Sequence, residues 1–245
     1  MINDDTIYLT IIIDDYDGIK NGYIPAYGFS LLIEINNKKI LFDTGTKPYS
    51  LLYNLKTYGI SPSSLDAIIL SHNHFDHTDG LPGILKVNKS VPIYIHKDWD
   101  QLASFKGFKI PKLNRRVIIE GRELDEISKG LFLTNSFRSS DYGGVYEHAL
   151  FIKLKNDNIL ICGCCHPGLN VFLDECQSFG LTYRNDLFII GGFHGFKFTD
   201  KKAKKINNQL KEIILCHCTI HEKIFKEQFG KKCISGIVGK KLKFK

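Results

Sequence analysis

Residues 71–80 read SHNHFDHTDG and directly follow the apolar run DAIIL. Within six positions this segment brings together His72, His74, Asp76 and His77, although the whole chain has only nine histidines. Side chains two residues apart share one face of an extended segment, so His72 and His74 can point at the same ion. Imidazole and carboxylate groups are ligands of zinc, manganese and iron. The segment therefore predicts a metal site at the end of a buried strand rather than a polar surface loop.

The spacing of these residues resembles the HxHxDH signature of the metallo-beta-lactamase-fold superfamily of metal-dependent hydrolases. Three further segments resemble other motifs of the superfamily and come in the expected order: LFDTG at 41–45, CCHPG at 164–168 and LCHCT at 215–219. Finer details, GFSLLIE at 28–34 and GGFH at 191–194, resemble the subfamily that includes archaeal dihydropterin ribofuranosylaminobenzene phosphate synthases. The resemblance covers nearly the whole chain.

The resemblance implies an α+β fold, a four-layer αββα sandwich, in one domain over residues 1–245. It also implies two ion sites, one formed by His72, His74 and His166 and the other by Asp76, His77 and His217. One or two divalent ions are expected, with zinc as the first choice and manganese or iron as alternatives. A bound divalent ion lowers the pKa of water toward ~7, so the implied nucleophile is a metal-bound hydroxide that Asp76 can orient.

Two carboxylates are further site candidates. Asp43 ends a predicted strand, where it can accept the free N–H of a metal-bound imidazole, although an aspartate is also common in turns. Glu147 is a candidate for contact with the substrate, because the subfamily often has an acidic residue here. The adjacent His148 could equally be a surface side chain.

The stretch around His194 departs from the superfamily pattern. Many members carry an aspartate at the end of this strand that bridges two ions, but no acidic residue lies between Leu187 and Thr199. His194 is therefore a candidate for a catalytic role facing the substrate or for a replacement ligand. The alternative is a histidine packed in a glycine-rich turn.

Seven cysteines are present, and five of them lie in two short clusters. This distribution favours reduced thiols over a disulfide framework. The one CxxC spacing, Cys162 to Cys165, has no second such pair in the chain, so a cysteine-rich zinc knot is disfavoured. In a predicted strand over 212–218, alternation puts Cys216 and Cys218 on the face opposite His217. If His217 binds an ion, these two cysteines are not expected to share it.

Local patterns predict the neighbouring elements. Strands are expected at 7–13, 29–35, 39–42, 67–70 and 91–95, and helices at 48–58, ending at Gly59, and at 200–213. Thr219 and Glu222 predict a capping box for a last helix. The loop over 15–27 is long and aromatic, which suits a wall of the active site. Residues 99–141 have no firm periodicity.

Composition leaves several functions open. The 245 residues are 43% hydrophobic, which suits one large domain. No apolar run approaches the ~20 residues of a membrane span, and no signal peptide is evident, so a cytoplasmic protein is expected. The net charge of +7 admits an anionic partner, but the lysine clusters lack interleaved aromatics, which disfavours nucleic acid.

The sequence thus predicts a hydrolase for a small anionic substrate that carries phosphate, such as a pterin-linked compound. The alternatives are a nuclease or phosphodiesterase of the same fold and a non-enzymatic metal-stabilised binding protein.

Overall fold

The computed structural model describes residues 6–16, 18–141, 143–181 and 185–245. The strands in these ranges are β1 (Ile7–Ile13), β2 (Ser30–Ile35), β3 (Lys38–Phe42), β4 (Ala67–Ile69), β5 (Ile93–His96), β6 (Arg115–Ile118), β7 (Arg122–Glu123), β8 (Leu131–Leu133), β9 (Phe137–Arg138), β10 (Tyr146–Glu147), β11 (Leu150–Lys153), β12 (Asn158–Cys162), β13 (Leu187–Gly191), β14 (Leu210–Leu215), β15 (Cys233–Ser235) and β16 (Lys241–Phe244). The helices are α1 (Pro48–Tyr58), α2 (Phe75–Thr78), α3 (Leu81–Leu85), α4 (Leu169–Ser178), α5 (Asp200–Asn207) and α6 (Glu222–Phe229). None of these helices is both long and apolar enough to cross a bilayer.

Two seven-stranded sheets carry the fold. The order in the first is β16-β1-β2-β3-β4-β5-β6, and in the second it is β15-β14-β13-β12-β11-β8-β7. Strands β3 to β6 are mutually parallel, and so are β12 to β15. Parallel neighbours end at the same edge of a sheet, where α/β proteins commonly place their ligands. The turns that follow β3, β4, β12, β13 and β14 carry the predicted ligand motifs and lie at these edges.

Three apolar clusters define the layers. The central cluster joins side chains of both sheets, including Ile33 and Ile69 from the first and Ile152 and Ile190 from the second. A second cluster packs the first sheet against residues of α1 and α3. A third packs the second sheet against α4, α5 and α6. The layer order is therefore helix, sheet, sheet, helix, which confirms the predicted αββα sandwich. Residues 1–5 lie outside the described ranges, so the single domain over 1–245 stays a prediction.

Local sequence patterns located several elements correctly. Helix α1 spans Pro48–Tyr58 and ends at Gly59, whose φ of 91° gives the left-handed turn expected of a C-terminal glycine. Asn36 and Asn37 have φ of 49° and 60° and form the tight turn between β2 and β3.

The predicted helix over 200–213 is wrong in its second half. Helix α5 ends at Asn207, and β14 begins at Leu210. Leu210 and Ile213 fit a helical stripe, but in the fold they pair in register with β13, at Leu187 and Ile189. Tertiary pairing has overridden a local pattern that suits either structure.

The predicted capping box at Thr219 is also wrong. The Thr219 hydroxyl donates to the carbonyl of Cys216 over 2.7 Å and accepts the N–H of Phe193 over 3.3 Å. Helix α6 begins at Glu222, after His221, with no side-chain cap. Thr219 thus fastens the turn after β14 to the turn after β13.

Candidate metal centre

The first ligand group joins two edges of the fold. His72 and His74 follow β4, and His166 follows β12. His72 Nε2 lies 3.1 Å from His74 Nδ1, and each of these rings lies 4.9 Å from the His166 ring. One ligand atom from each of the three residues lies within 4.8 Å of the others. These are the three residues expected to share an ion.

The second ligand group lies beside the first. It contains Asp76, His77 and His217, as expected, together with Cys164, and its ligand atoms also lie within 4.8 Å of one another. His217 Nε2 is 2.9 Å from Asp76 Oδ2, and His77 Nε2 is 3.0 Å from Cys164 Sγ. The His72 and His77 ring centroids are 4.2 Å apart, so the two groups are immediate neighbours.

Asp43 orients one imidazole in each group. Its Oδ2 accepts the Nδ1–H of His77 over 2.7 Å and the Ser71 hydroxyl over 2.7 Å. The Ser71 oxygen in turn accepts the Nδ1–H of His72 over 2.8 Å. The network therefore leaves Nε2 of both histidines as the atom with a lone pair for an ion. Asp43 makes the contact expected of it from the sequence.

Two other aspartates contact the imidazoles of His217 and His166. Asp15 Oδ1 lies 2.5 Å from His217 Nδ1, and Asp141 Oδ2 lies 3.3 Å from His166 Nδ1. Each contact gives Nδ1 a carboxylate acceptor, so Nε2 is the nitrogen available to an ion once it is deprotonated. Asp14 adds to the first contact, because its Oδ1 accepts the backbone N–H of His217 over 2.9 Å.

Glu147 has a different position from the one expected. It is fully buried, and its Oε1 accepts the N–H groups of Gly163, Cys164 and Cys165 over 2.8–3.1 Å. Its Oε2 accepts the N–H of His166 over 2.8 Å. Burial raises the pKa of Glu147, while His166 and the backbone donors act in the opposite direction. Glu147 therefore holds the turn that carries His166 and Cys164, and it has no surface with which to contact a substrate.

The charges of the two groups differ. Burial and the neighbouring histidines lower the pKa of His72 well below its ordinary value and that of His74 to about 3. Burial alone would raise the pKa of Asp76, but His77 and His217 outweigh burial and lower it. For His217, burial acts to lower the pKa, and the hydrogen bonds to Asp15 and Asp76 raise it well above its ordinary value. The carboxylates of Asp76 and Asp15 thus create negative surroundings in the second group that favour a cation.

A pocket of about 260 Å³ opens onto both groups. Its lining is formed by Tyr27, His74, Phe75, Asp76, Phe105, Cys164, His166, His194 and Cys218. Tyr27 comes from the loop expected to form a wall. The ring planes of Tyr27 and Phe75 are 26° apart, with centroids separated by 6.1 Å, so the two aromatic rings of the lining stack on each other.

His194 follows β13 and lines this pocket. Its ring centroid is 4.8 Å from that of His166, and its Nδ1 is 3.6 Å from Asp141 Oδ2. Burial and His166 lower the pKa of His194. One ligand atom of His194 also lies within 4.8 Å of those of Asp141 and His166, so its placement suits both roles considered from the sequence, contact with a bound molecule and a replacement ligand.

Strained backbone accumulates at these turns. Asp43, Cys165, His194 and Cys218 all have positive φ, between 38° and 59°. Such conformations cost about 1–3 kcal/mol each in non-glycine residues and persist where the surrounding structure imposes them. The tight turns are what bring the side chains of both sheets to a common centre.

Several residues of the centre were missed from the sequence. Asp15 and Asp141 were not singled out, and Cys164 was set aside with the other cysteines. The expected separation of Cys218 from the His217 face is wrong, because β14 ends at Leu215 and Cys218 lines the pocket. The only sequence signal for Cys164 was its position two residues before His166.

Two other histidines are structural in placement. His148 is fully buried, and its Nε2–H donates to the Leu70 carbonyl over 2.9 Å, so it is not the surface side chain that was considered. His96 is also buried, 5.2 Å from the His148 ring, and belongs to neither ligand group. Both residues support the strand end from which His72 projects.

The donor set fits divalent ions. Each group offers imidazole nitrogens, and in His72, His77, His166 and His217 the second nitrogen contacts an oxygen; one group adds a carboxylate and a thiol. Zinc accepts all three donor types at distances of 2.0–2.3 Å from the ion. The ligand atoms of each group lie within 4.8 Å of one another, close enough to share one ion.

Comparison with known proteins agrees with this geometry. The family model described as the metallo-beta-lactamase superfamily matches residues 23–186. The chain belongs to this superfamily. As a member of the metallo-beta-lactamase superfamily, it is a metal-dependent hydrolase by fold and family.

Known proteins similar to this chain differ in sequence identity and in the share of each chain that the match covers. A Methanocaldococcus jannaschii protein named 7,8-dihydropterin-6-methyl-4-(beta-D-ribofuranosyl)-aminobenzene-5'-phosphate synthase is 31% identical, over 98% of this chain and 97% of its own. The structure of Tm1679, described as a metal-dependent hydrolase of the beta-lactamase superfamily, matches with a TM-score of 0.72 and 25% identity, over 96% of this chain and 98% of that one. Exodeoxyribonuclease WalJ of Streptococcus pneumoniae is 31% identical over only 80 residues, 32% of this chain and 29% of its own.

Proposed function

We propose that this hydrolase acts on a small phosphate-bearing anion with a planar ring, such as a pterin-linked phosphate. In this proposal His72, His74 and His166 hold one divalent ion, and Asp76, His77 and His217 hold the other. The observation that carries the proposal is the juxtaposition of the two ligand groups at the base of one small pocket with an aromatic wall.

The aromatic wall supports a planar substrate. Tyr27 and Phe105 are more than half exposed, and with Phe75 they line the same pocket. Exposed aromatic side chains in a pocket commonly stack on flat rings. The name of the full-length M. jannaschii relative contains a pterin, an aminobenzene and a phosphate, which supports the same class of substrate.

In this proposal, the bound ions and His194 contact the phosphate of the substrate, and no arginine does so. No lysine or arginine is among the described residues that line the pocket. When bound, divalent ions supply Lewis acidity and lower the pKa of a water ligand. Asp76 lines the pocket and can accept a proton from an attacking water, while His217 fixes its Oδ2. Asp141 lies beside Nδ1 of His194 and can orient this ring to donate a hydrogen bond to a phosphate oxygen or leaving group.

The size of the pocket favours a small molecule over a polymer. About 260 Å³ accommodates a compact ligand, whereas a nuclease needs a groove that follows several phosphates. The match to WalJ covers only part of the chain.

All seven cysteines are free thiols, and we place the enzyme in the cytoplasm, where thiols stay reduced.

Elemental analysis and turnover test this proposal together. We expect one to two equivalents of zinc, manganese or iron per chain and hydrolysis of small phosphoesters. The variant His72→Ala/His74→Ala should lose the first ion and be less stable, because a bound ion stabilises the folded state. His221→Ala, which removes a partly exposed histidine outside both groups, is the matched control.

Two results would contradict the proposal. One is less than a few tenths of an equivalent of any of these metals after reconstitution. The other is a fully loaded enzyme that cleaves RNA or DNA and leaves small phosphoesters intact.

A further inference from the structure

Two thiols meet at the second ligand group. Cys164 Sγ lies 3.0 Å from His77 Nε2, and the Cys218 thiol donates to Cys164 Sγ over 3.1 Å. Cys164 is fully buried next to Asp76 and His217, whereas Cys218 is partly exposed at the pocket. Nothing in the proposed ligand set gives these sulfur atoms a role.

The end of β13 has no space for a side chain of its own. A Cβ on Gly191, where φ is 141°, would lie 2.1 Å from the carbonyl oxygen of Cys162. A Cβ on Gly192 would lie 2.3 Å from the carbonyl oxygen of His217 and 2.7 Å from Cys218 Sγ. An acidic side chain therefore does not fit at either glycine, because backbone carbonyls occupy the space at both and the Cys218 sulfur also does so at Gly192. An additional ligand has to come from another turn.

The turn after β12 supplies such a ligand at a suitable distance. Ligands of one tetrahedral zinc ion, at 2.0–2.3 Å from it, stand roughly 3.3–3.8 Å apart. In the second group, the distances are 2.9 Å from His217 Nε2 to Asp76 Oδ2, 3.0 Å from His77 Nε2 to Cys164 Sγ and 3.7 Å from His77 Nε2 to Asp76 Oδ2. These three distances lie within a few tenths of an ångström of that range, and all four ligand atoms lie within 4.8 Å of one another.

We propose that Cys164 is a thiolate ligand of the second ion and that Cys218 donates its S–H to the coordinated sulfur. Coordination forms one sulfur–metal bond and releases the Cys164 proton to solvent, with no change of oxidation state. The inference rests on the proposed function, because it extends the same ion site. A thiolate also narrows the choice of ion, since sulfur favours zinc, cobalt or iron over magnesium and calcium.

Cobalt substitution tests the assignment without relying on activity. Co²⁺ bound to a thiolate shows an intense sulfur-to-metal charge-transfer absorption in the near ultraviolet. We expect the wild-type protein to show this band and Cys164→Ser to lose it while keeping cobalt in the first group. Cys165→Ser is the matched control. Cys165 is the adjacent buried cysteine, but it packs in the apolar cluster between the second sheet and helices α4, α5 and α6. This control and Cys218→Ser should both keep the band.

Two further measurements guard against loss of folding in the serine variant. Cys164→Asp should bind both ions but lack the band, because a carboxylate replaces the sulfur. X-ray absorption on the wild-type zinc protein should find sulfur at ~2.3 Å from the metal. The affinity of the second group for zinc should fall in Cys164→Ser by more than the ~10–100-fold typical of residues that only orient ligands.

The outcomes separate this inference from the proposed function. Two bound cobalt ions with no charge-transfer band, or a band that survives Cys164→Ser, would overturn the thiolate assignment and leave the hydrolase proposal intact. A band lost only in Cys218→Ser would assign the ligand to Cys218 instead. Failure of the wild-type protein to bind cobalt or zinc at all would overturn the proposed function itself.

Discussion

Replacement of Glu147 by glutamine would test how the ligand turn is held. The Glu147 carboxylate accepts four backbone N–H groups, from Gly163, Cys164, Cys165 and His166. An ionised carboxylate only accepts hydrogen bonds, whereas a glutamine amide has one oxygen and one NH₂ group. In Glu147→Gln the amide oxygen can keep the contacts of Oε1, but the NH₂ group then faces the N–H of His166.

The expected loss of stability follows from these contacts. A hydrogen bond to a charged group contributes about 1.5–3 kcal/mol, and a buried N–H left without an acceptor costs about 1–3 kcal/mol. The two values overlap in part, because one contact is removed and its donor is the one left unpaired. We therefore expect Glu147→Gln to lower the free energy of unfolding by about 2–4 kcal/mol.

Urea unfolding of the metal-free protein measures this loss. A zinc competition assay should show weaker binding as well, because the turn carries His166. Glu227→Gln is the control, since this side chain is largely exposed on α6. A change below about 0.5 kcal/mol, the usual range for surface substitutions, would refute the role assigned to Glu147.

Two other predictions concern histidines. His194→Ala should keep its metal but lose about 10²-fold or more in turnover, the usual contribution of a positioned acid, base or hydrogen-bond donor; loss of metal comparable to that of His217→Ala would make His194 a ligand instead. His148 is neutral in the fold because burial lowers its pKa from 6.5 to about 4. Protonation therefore favours the unfolded chain, and the metal-free protein should lose about 3 kcal/mol through this residue as pH falls from 6.5 to 4. Urea unfolding should show a shallower pH dependence for His148→Gln, and an unchanged slope would contradict the assignment.

Features encoded within a short segment could be predicted from the sequence. Helix α1 has its apolar spacing and its terminal Gly59 within one stretch, and both were correct. The ligand segment after β4 concentrates four metal-binding side chains in six residues, so its chemistry is visible without the fold. The sandwich architecture followed from the resemblance of such segments in their order along the chain.

Contacts between distant segments could not be predicted in this way. Asp15 and His217 are 202 residues apart, and Cys164 and His77 are 87 apart. No periodicity links them, because the sheets alone bring their turns together. Glu147 shows the same difficulty: the sequence marks an acidic residue, but only the fold shows that four backbone N–H groups surround it. The apolar spacing of Leu210 and Ile213 suits a helix or a strand, and pairing with β13 decides between them.

The long separation between facing ligands has a mechanical consequence. Asp76 and His217 are 141 residues apart in the chain and 2.9 Å apart in space, at the seam between the two halves of the molecule. An ion bound by both residues would act as a cross-link, because it would reduce the conformational entropy of the long loop between them in the unfolded chain. Loop closure of this length corresponds to about 5 kcal/mol of chain entropy. The ion would therefore stabilise the folded state by linking the turn after β4 to the turn after β14, and chelation would remove this contribution.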